Sequence, residues 1–273
     1  MYKLLTTINK PISEQLNRLF TNTLPSDGNF LVRYNISEPV FCNTVSCCSI
    51  FNSFVCWCAL FASTYTFCRL IKRCGYFSQH KLFERLITSR LVSMTHALGT
   101  LYLSTNIVLN DTPWTVYNSS AQNQMIAFSL GYFLYDTVYT CLLEWNNLFL
   151  IHHTAVGTYW VMCLQSNTGG YAGAIMMLMG ECSNPIQLPW ELSRRMKYTY
   201  ISNFLSPIFT YSFITMRCGV LPIVSPYLWY RMYLLPEPNE NYKLAWMGLG
   251  TGVIIASMMW SKSLWKGYKK YKN

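Results

Sequence analysis

His152 and His153 stand side by side in an otherwise apolar run over residues 148–166, LFLIHHTAVGTYWVMCLQS. Ionisable side chains in hydrocarbon cost roughly several kcal/mol unless they face a bundle interior or a wet cavity, so a pair in such a run marks a working site. A neutral imidazole accepts a proton near neutral pH, and Asp136, in the preceding apolar run, is a carboxylate that could orient the ring and stabilise its cation. That is the equipment of a general base. Neighbours on a helix differ by about 100° around the axis; one of the two histidines is therefore expected to face a cavity and the other to support it. The same residues also suit a hydrogen-bonded tie between helices with no chemistry, a common use of polar side chains in membrane bundles. Glu181 carries the same ambiguity, between a place in the site and a pairing with Arg194 or Arg195. His96, with Gly99 one turn on, fits either the site or close helix packing.

Several chemistries are excluded or disfavoured. The chain has 4 histidines, one of which, His80, falls in a connection, too few for a histidine-rich di-iron oxidase; no metal site is expected. No GxSxG elbow or phosphate-binding loop is present, and the glycines of TGGYAG follow no strand. A proton- or ion-coupled transporter could use His and Asp in midmembrane, but the sequence shows no duplicated pair of broken helices. The 11 cysteines, Cys47, Cys48, Cys56, Cys58 and Cys68 among them, show no zinc-ribbon spacing and read as small membrane-helix residues.

Stepping outward, charged residues make up 12% of the 273 and apolar ones 52%, about half the ~25% charged content of an ordinary soluble domain. The fold class is all-α: a polytopic membrane protein of about seven transmembrane helices. These are predicted near 44–71, 91–109, 125–143, 148–166, 171–192, 200–220 and 244–264, after a polar tail over 1–43 that lacks a cleavable signal core. Residues 220–232 are apolar too, but Pro222 and Pro226 predict a break there and a re-entrant or interfacial extension, with Tyr227, Trp229 and Tyr230 in an aromatic belt.

The net charge of +10 reflects topology rather than nucleic-acid binding, because the cations flank the apolar runs. Lys72, Arg73, Lys81, Arg85 and Arg90 follow the first helix, Arg194, Arg195 and Lys197 the fifth, and Lys262, Lys266, Lys269, Lys270 and Lys272 the seventh; all three regions are assigned to the cytosol. The cation-free stretches 110–124 and 167–170 go outside. The glycosylation sequons at Asn35, Asn110 and Asn118 agree with that side, whereas Lys3, Lys10, Arg18 and Arg33 weigh against an outer N-terminal tail. Measured along the helices, His96, Asp136, His152 and Glu181 all fall in the cytosolic half, on four different helices. A shared level is what a polar cavity open to the cytosol requires.

The segments SRLVSMTHALGTLY, GYFLYDTVY, NNLFLIHHTAVGTYW and LMGECSNPIQLPWELSRR, in that order, resemble the TLC domain family, which includes the ceramide synthases. The likeness covers roughly 78–265, leaving 44–71 as an extra transmembrane helix and 266–273 as a basic cytosolic tail. It implies a barrel-like arrangement of six helices and residence in the endoplasmic reticulum; the C-terminal KKYKN lies one place away from a dilysine retrieval signal. In ceramide synthases the helix after His-His carries a His-Asp-x-x-Asp pattern, and both motifs are linked with acyl transfer from acyl-CoA. Here the matching stretch runs Gly180, Glu181, Cys182, Ser183, Asn184, so the histidine and the second acid are gone, as in the smaller TLC-domain proteins. The resemblance thus implies a role in lipid metabolism, sphingolipid or phospholipid. One form is an acyl-CoA-dependent acyltransferase with no bound cofactor acting on a long-chain acyl or sphingoid substrate, with His152, His153 and Asp136 catalytic and His96, Glu181 and Asn184 on the substrate. The other is a non-enzymatic lipid sensor, regulator or cargo receptor.

Overall fold

The computed structural model describes residues 44–74, 83–143, 145–236 and 238–272. The N-terminal tail, the Asn35 sequon and His80 lie outside them. The described residues are helical almost throughout: α1 (Thr44–Arg73), α2 (Phe83–Asn110), α3 (Ser120–Leu143), α4 (Asn147–Ser166), α5 (Gly170–Glu181), α6 (Asn184–Arg195), α7 (Thr199–Ile214), a π turn (Thr215–Val220), α8 (Leu221–Tyr233) and α9 (Glu240–Lys272). Four segments, Cys48–Arg73, Ser120–Leu143, Thr199–Tyr233 and Glu240–Lys270, are long and apolar enough to cross a membrane. This is an all-α polytopic membrane protein.

The passes close into a ring. α3 packs on α4, α4 on α9, α9 on the α7–π–α8 rod, that rod on α5 and α6, those on α2, and α2 back on α3. This is the six-membered barrel expected from the sequence. α1 stays outside it, against α2 and α3. The seam is cut at Gly131, where a Cβ would fall 2.8 Å from the Phe54 amide nitrogen. Without a side chain there, Ser53 Oγ (3.1 Å) and Trp57 Nε1 (3.2 Å) both donate to the Phe128 carbonyl, the close backbone approach that small residues allow between membrane helices.

Two expectations about the passes are corrected. The fifth helix, predicted as one span over 171–192, is broken into α5 and α6, which begins with Asn184 and carries a proline in its first turn. Pro185 starts a new helix easily but cannot continue an old one, and α6 is amphipathic rather than membrane-spanning. The sixth helix, by contrast, does not break at Pro222. The Leu221 N–H reaches back to the Met216 carbonyl, five residues earlier; this widened turn gives the ring of Pro222 room where a regular α-turn would clash with it. The rod then runs on to Tyr233, leaving Tyr227 and Tyr230 on its outer surface while Trp229 turns in against Gly250. The basic residues from 266 onward continue α9 to Lys272.

At the cation-poor end, the loop between α2 and α3 is tied to the α4–α5 turn. Asn118 is 4% exposed; its Nδ2 donates to Asn123 Oδ1 (3.1 Å) and the Cys163 carbonyl (3.2 Å), and its Oδ1 accepts the Gly170 amide at 2.8 Å. The Asn118 N–H also donates to the Asn167 carbonyl, and Asp111 accepts from Ser119 and Gln122. The turn itself needs Asn167 and Gly169 at φ 51° and 82°, the left-handed region those two residue types tolerate. The sequon at Asn118 is therefore a packing element; its amide is consumed inside the protein and is not open to glycosylation.

Candidate functional site

Each side chain of interest reaches the ring's interior from a different pass. α4 is capped at Asn146, whose side chain accepts the Phe149 amide, which starts the helix five residues before His152. His153 is buried and sets its Nδ1 3.2 Å from Asp136 Oδ2 on α3. Phe149 and Phe133 wedge the His153 ring at centroid distances of 4.3 and 5.2 Å. His152 turns the other way, edge-on to Trp260 of α9 at 5.0 Å, and its Nδ1 is buried without a hydrogen-bond partner. The two rings diverge, His153 against a carboxylate and His152 against Trp260, and both line the same hollow.

Glu181, the last residue of α5, accepts from Asn184 Nδ2 at 2.6 Å, across the break between the two short helices. Its alternative pairing is overturned. Arg195 pairs with Glu191 at 2.7 Å, one turn back on α6, and Arg194 lies over the Trp190 ring. His96 is 1% exposed, stacked on Tyr132 at 3.8 Å, with Nε2 3.1 Å from Thr100 Oγ1 and Trp57 of α1 across its edge. It is held as a wall.

Sequence reasoning missed Arg217. With the helix expected to end at residue 220, a cation there reads as an ordinary boundary residue; because the rod continues to Tyr233, Arg217 sits halfway along it, 7% exposed, inside the π turn. Its guanidinium donates to the Gly180 carbonyl, to Asn184 Oδ1 (3.4 Å) and to Ser257 Oγ (3.4 Å), lies 4.5 Å from the Phe213 ring centroid and feels the Glu181 charge. A lone charge within an otherwise apolar run is the signal that could have found it.

These residues surround two adjoining hollows that share part of their walls. The first, about 250 Å³, is polar and lined by His96, His152, His153, Glu181, Asn184 and Arg217, with Tyr132, Gln187 and Trp190. Its basic-side mouth carries Arg90, whose Nε is 2.8 Å from Glu191 Oε2. The second, about 80 Å³, is apolar, bounded by Val156, Trp160, Met177, Leu249 and Ile254. His152, Glu181, Arg217 and Phe133 belong to both walls. Asp136 stands behind His153. Among the described residues no cluster of three potential metal ligands occurs.

The sequence profile of the TLC domain matches residues 86–266, a stretch that begins at the basic end of α2 and takes in every residue of both hollows while leaving α1 out. The chain belongs to the TLC domain family. Among curated proteins it is similar to a TLC domain-containing protein of Arabidopsis thaliana, 24% identical over 196 residues that cover 65% of this chain and 76% of the relative. No solved structure matches. The family is associated with lipid metabolism and homeostasis, so the barrel described above is a TLC barrel and its hollows lie where a membrane lipid is at hand.

Proposed function

We propose that this TLC protein binds a single-chain lipid with its head in the polar hollow and its chain in the apolar one, and that it moves an acyl group between a coenzyme A thioester and an amine or hydroxyl. The observation that carries the reading is the shared wall: His152, Glu181 and Arg217 stand where a polar and an apolar compartment meet, the division an amphiphile needs. In the step itself, His153, backed by Asp136 at Nδ1, takes the proton of the attacking N–H or O–H at Nε2. The nucleophile bonds to the thioester carbonyl carbon, the C–S bond breaks, and the coenzyme A thiolate leaves with that proton. Arg217 and His152 face the carbonyl oxygen as charge builds on it, and Glu181 with Asn184 holds the acceptor's polar group. The site opens to the cytosol, where the cations cluster, and the membrane is that of the endoplasmic reticulum.

A second reading, a lipid sensor or cargo receptor without turnover, draws support from Gly180 and Asn184, which stand where ceramide synthases carry a histidine and an acid. The two separate in one experiment: the purified protein is given labelled acyl-CoA with sphingoid bases and lysolipids, beside the His152→Ala/His153→Ala variant. Transfer should appear with the wild type and fall by about a hundredfold or more in the variant. Co-purified lipid with no product over the whole panel establishes the second reading instead.

A further inference from the structure

We infer that Trp160 is the floor of the apolar hollow and sets the length of chain the protein accepts, favouring medium-length over long chains; this rests on the lipid-binding reading above. The hollow starts at the shared wall of His152, Glu181 and Arg217, beside Gly180, and is lined by α3, α4, α5, the α7–π–α8 rod and α9. Gly180 keeps its entrance clear, since a Cβ there would meet nothing within 4 Å. The other end is shut. Trp160 is 1% exposed, and its ring occupies the place a side chain at position 173 would take, 2.4 Å from a Cβ on Gly173. Beyond it the interior is solid: Cys163, Met232 and Trp246 close to within 3.3–3.4 Å of a Cβ placed on Gly169.

The depth follows from helix geometry. Trp160 is eight residues from His152 along α4, and Gly173 seven from Gly180 along α5; at about 1.5 Å per residue both give about 10–12 Å. The hollow of about 80 Å³ takes only the end of an alkyl chain, so a medium-length chain reaches the floor and a longer one meets the indole. Native interiors do not yield to such overlap without loss of stability, so the penalty falls on the longer ligand. This narrows the long-chain expectation drawn from the family resemblance.

The test equilibrates the full-length protein with an equimolar mixture of octanoyl-, decanoyl-, dodecanoyl- and hexadecanoyl-CoA and reads the bound species by native mass spectrometry. The wild type should retain the two shorter thioesters over hexadecanoyl-CoA by about tenfold or more, the scale on which an apolar pocket distinguishes chain length. Trp160→Ala, and the milder Trp160→Leu should the first not fold, moves the preference to dodecanoyl- and hexadecanoyl-CoA. Val253→Phe, in the wall between the shared residues and the floor, moves it toward octanoyl-CoA. A wild-type preference that none of these variants shifts overturns the inference while leaving lipid binding intact. Failure of the wild type to hold any of the four removes both readings.

Discussion

Two polar clusters sit at opposite ends of the same barrel, and they are built on opposite terms. In the knot around Asn118, every side chain is engaged: Asn118, Gln122, Asn123 and Asp111 exchange hydrogen bonds with one another and with the α4–α5 turn, and none of its buried polar atoms lacks a partner. Around the polar hollow, His152 Nδ1, Trp190 Nε1 and Arg217 Nε are buried with no hydrogen bond. Buried polar groups left unsatisfied cost stability. A chain that completes one network and leaves the other open uses the first to hold the barrel closed and keeps the second for something that arrives.

The sharpest way to break that contrast is Asn118→Ala. It strands the Gly170 amide and takes one of its donors from the Cys163 carbonyl, and a buried group without a partner costs about 1–3 kcal/mol; thermal unfolding in detergent should show the largest loss of any single polar substitution discussed here. An unchanged melting temperature would mean that the knot is ornamental. Glu181→Gln is the counterpart in the hollow. It keeps the shape and an acceptor for Asn184, so the melting temperature should stay within about 1 kcal/mol of wild type, while acyl transfer or lipid retention falls by about tenfold, equivalent to about 1.4 kcal/mol. Should Glu181→Gln instead unfold the protein without touching function, the two clusters are the same kind of object. The smallest effect is expected at the mouth, where Arg90 and Glu191 are both partly exposed; Arg90→Ala should shift stability by about 0–1 kcal/mol, measured in the same melts.

Much of this was legible in the residues. An ionisable group in an apolar run has few tolerable surroundings, so His96, Asp136, His152 and Glu181 could be assigned to one interior level before any coordinates; His96, His152 and Glu181 line one hollow with His153 and Asn184, and Asp136 stands behind His153. The misses share a cause, which is that a local symbol was read without its tertiary context. Pro222 looks like a stop until a π turn makes room for it; once the rod continues, Arg217 changes from a boundary cation into a buried one. Asn118 looks like a sugar acceptor until the Gly170 amide is found occupying it. His96 has the right type and depth and lines the hollow, while Trp57, Tyr132 and Thr100 fix its ring there, which only packing could say.

The break after Glu181 has a further reach. α5 has 12 residues, about 18 Å of helix where the hydrocarbon layer is about 30 Å thick. Roughly the remaining two-fifths on the basic side is covered by the amphipathic α6 instead of a continuous wall. On the acyl-transfer reading proposed above, a water-soluble donor too hydrophilic to enter the bilayer would be met partway, at the depth where a membrane-dissolved acceptor would lie, and neither partner would have to leave the phase it prefers.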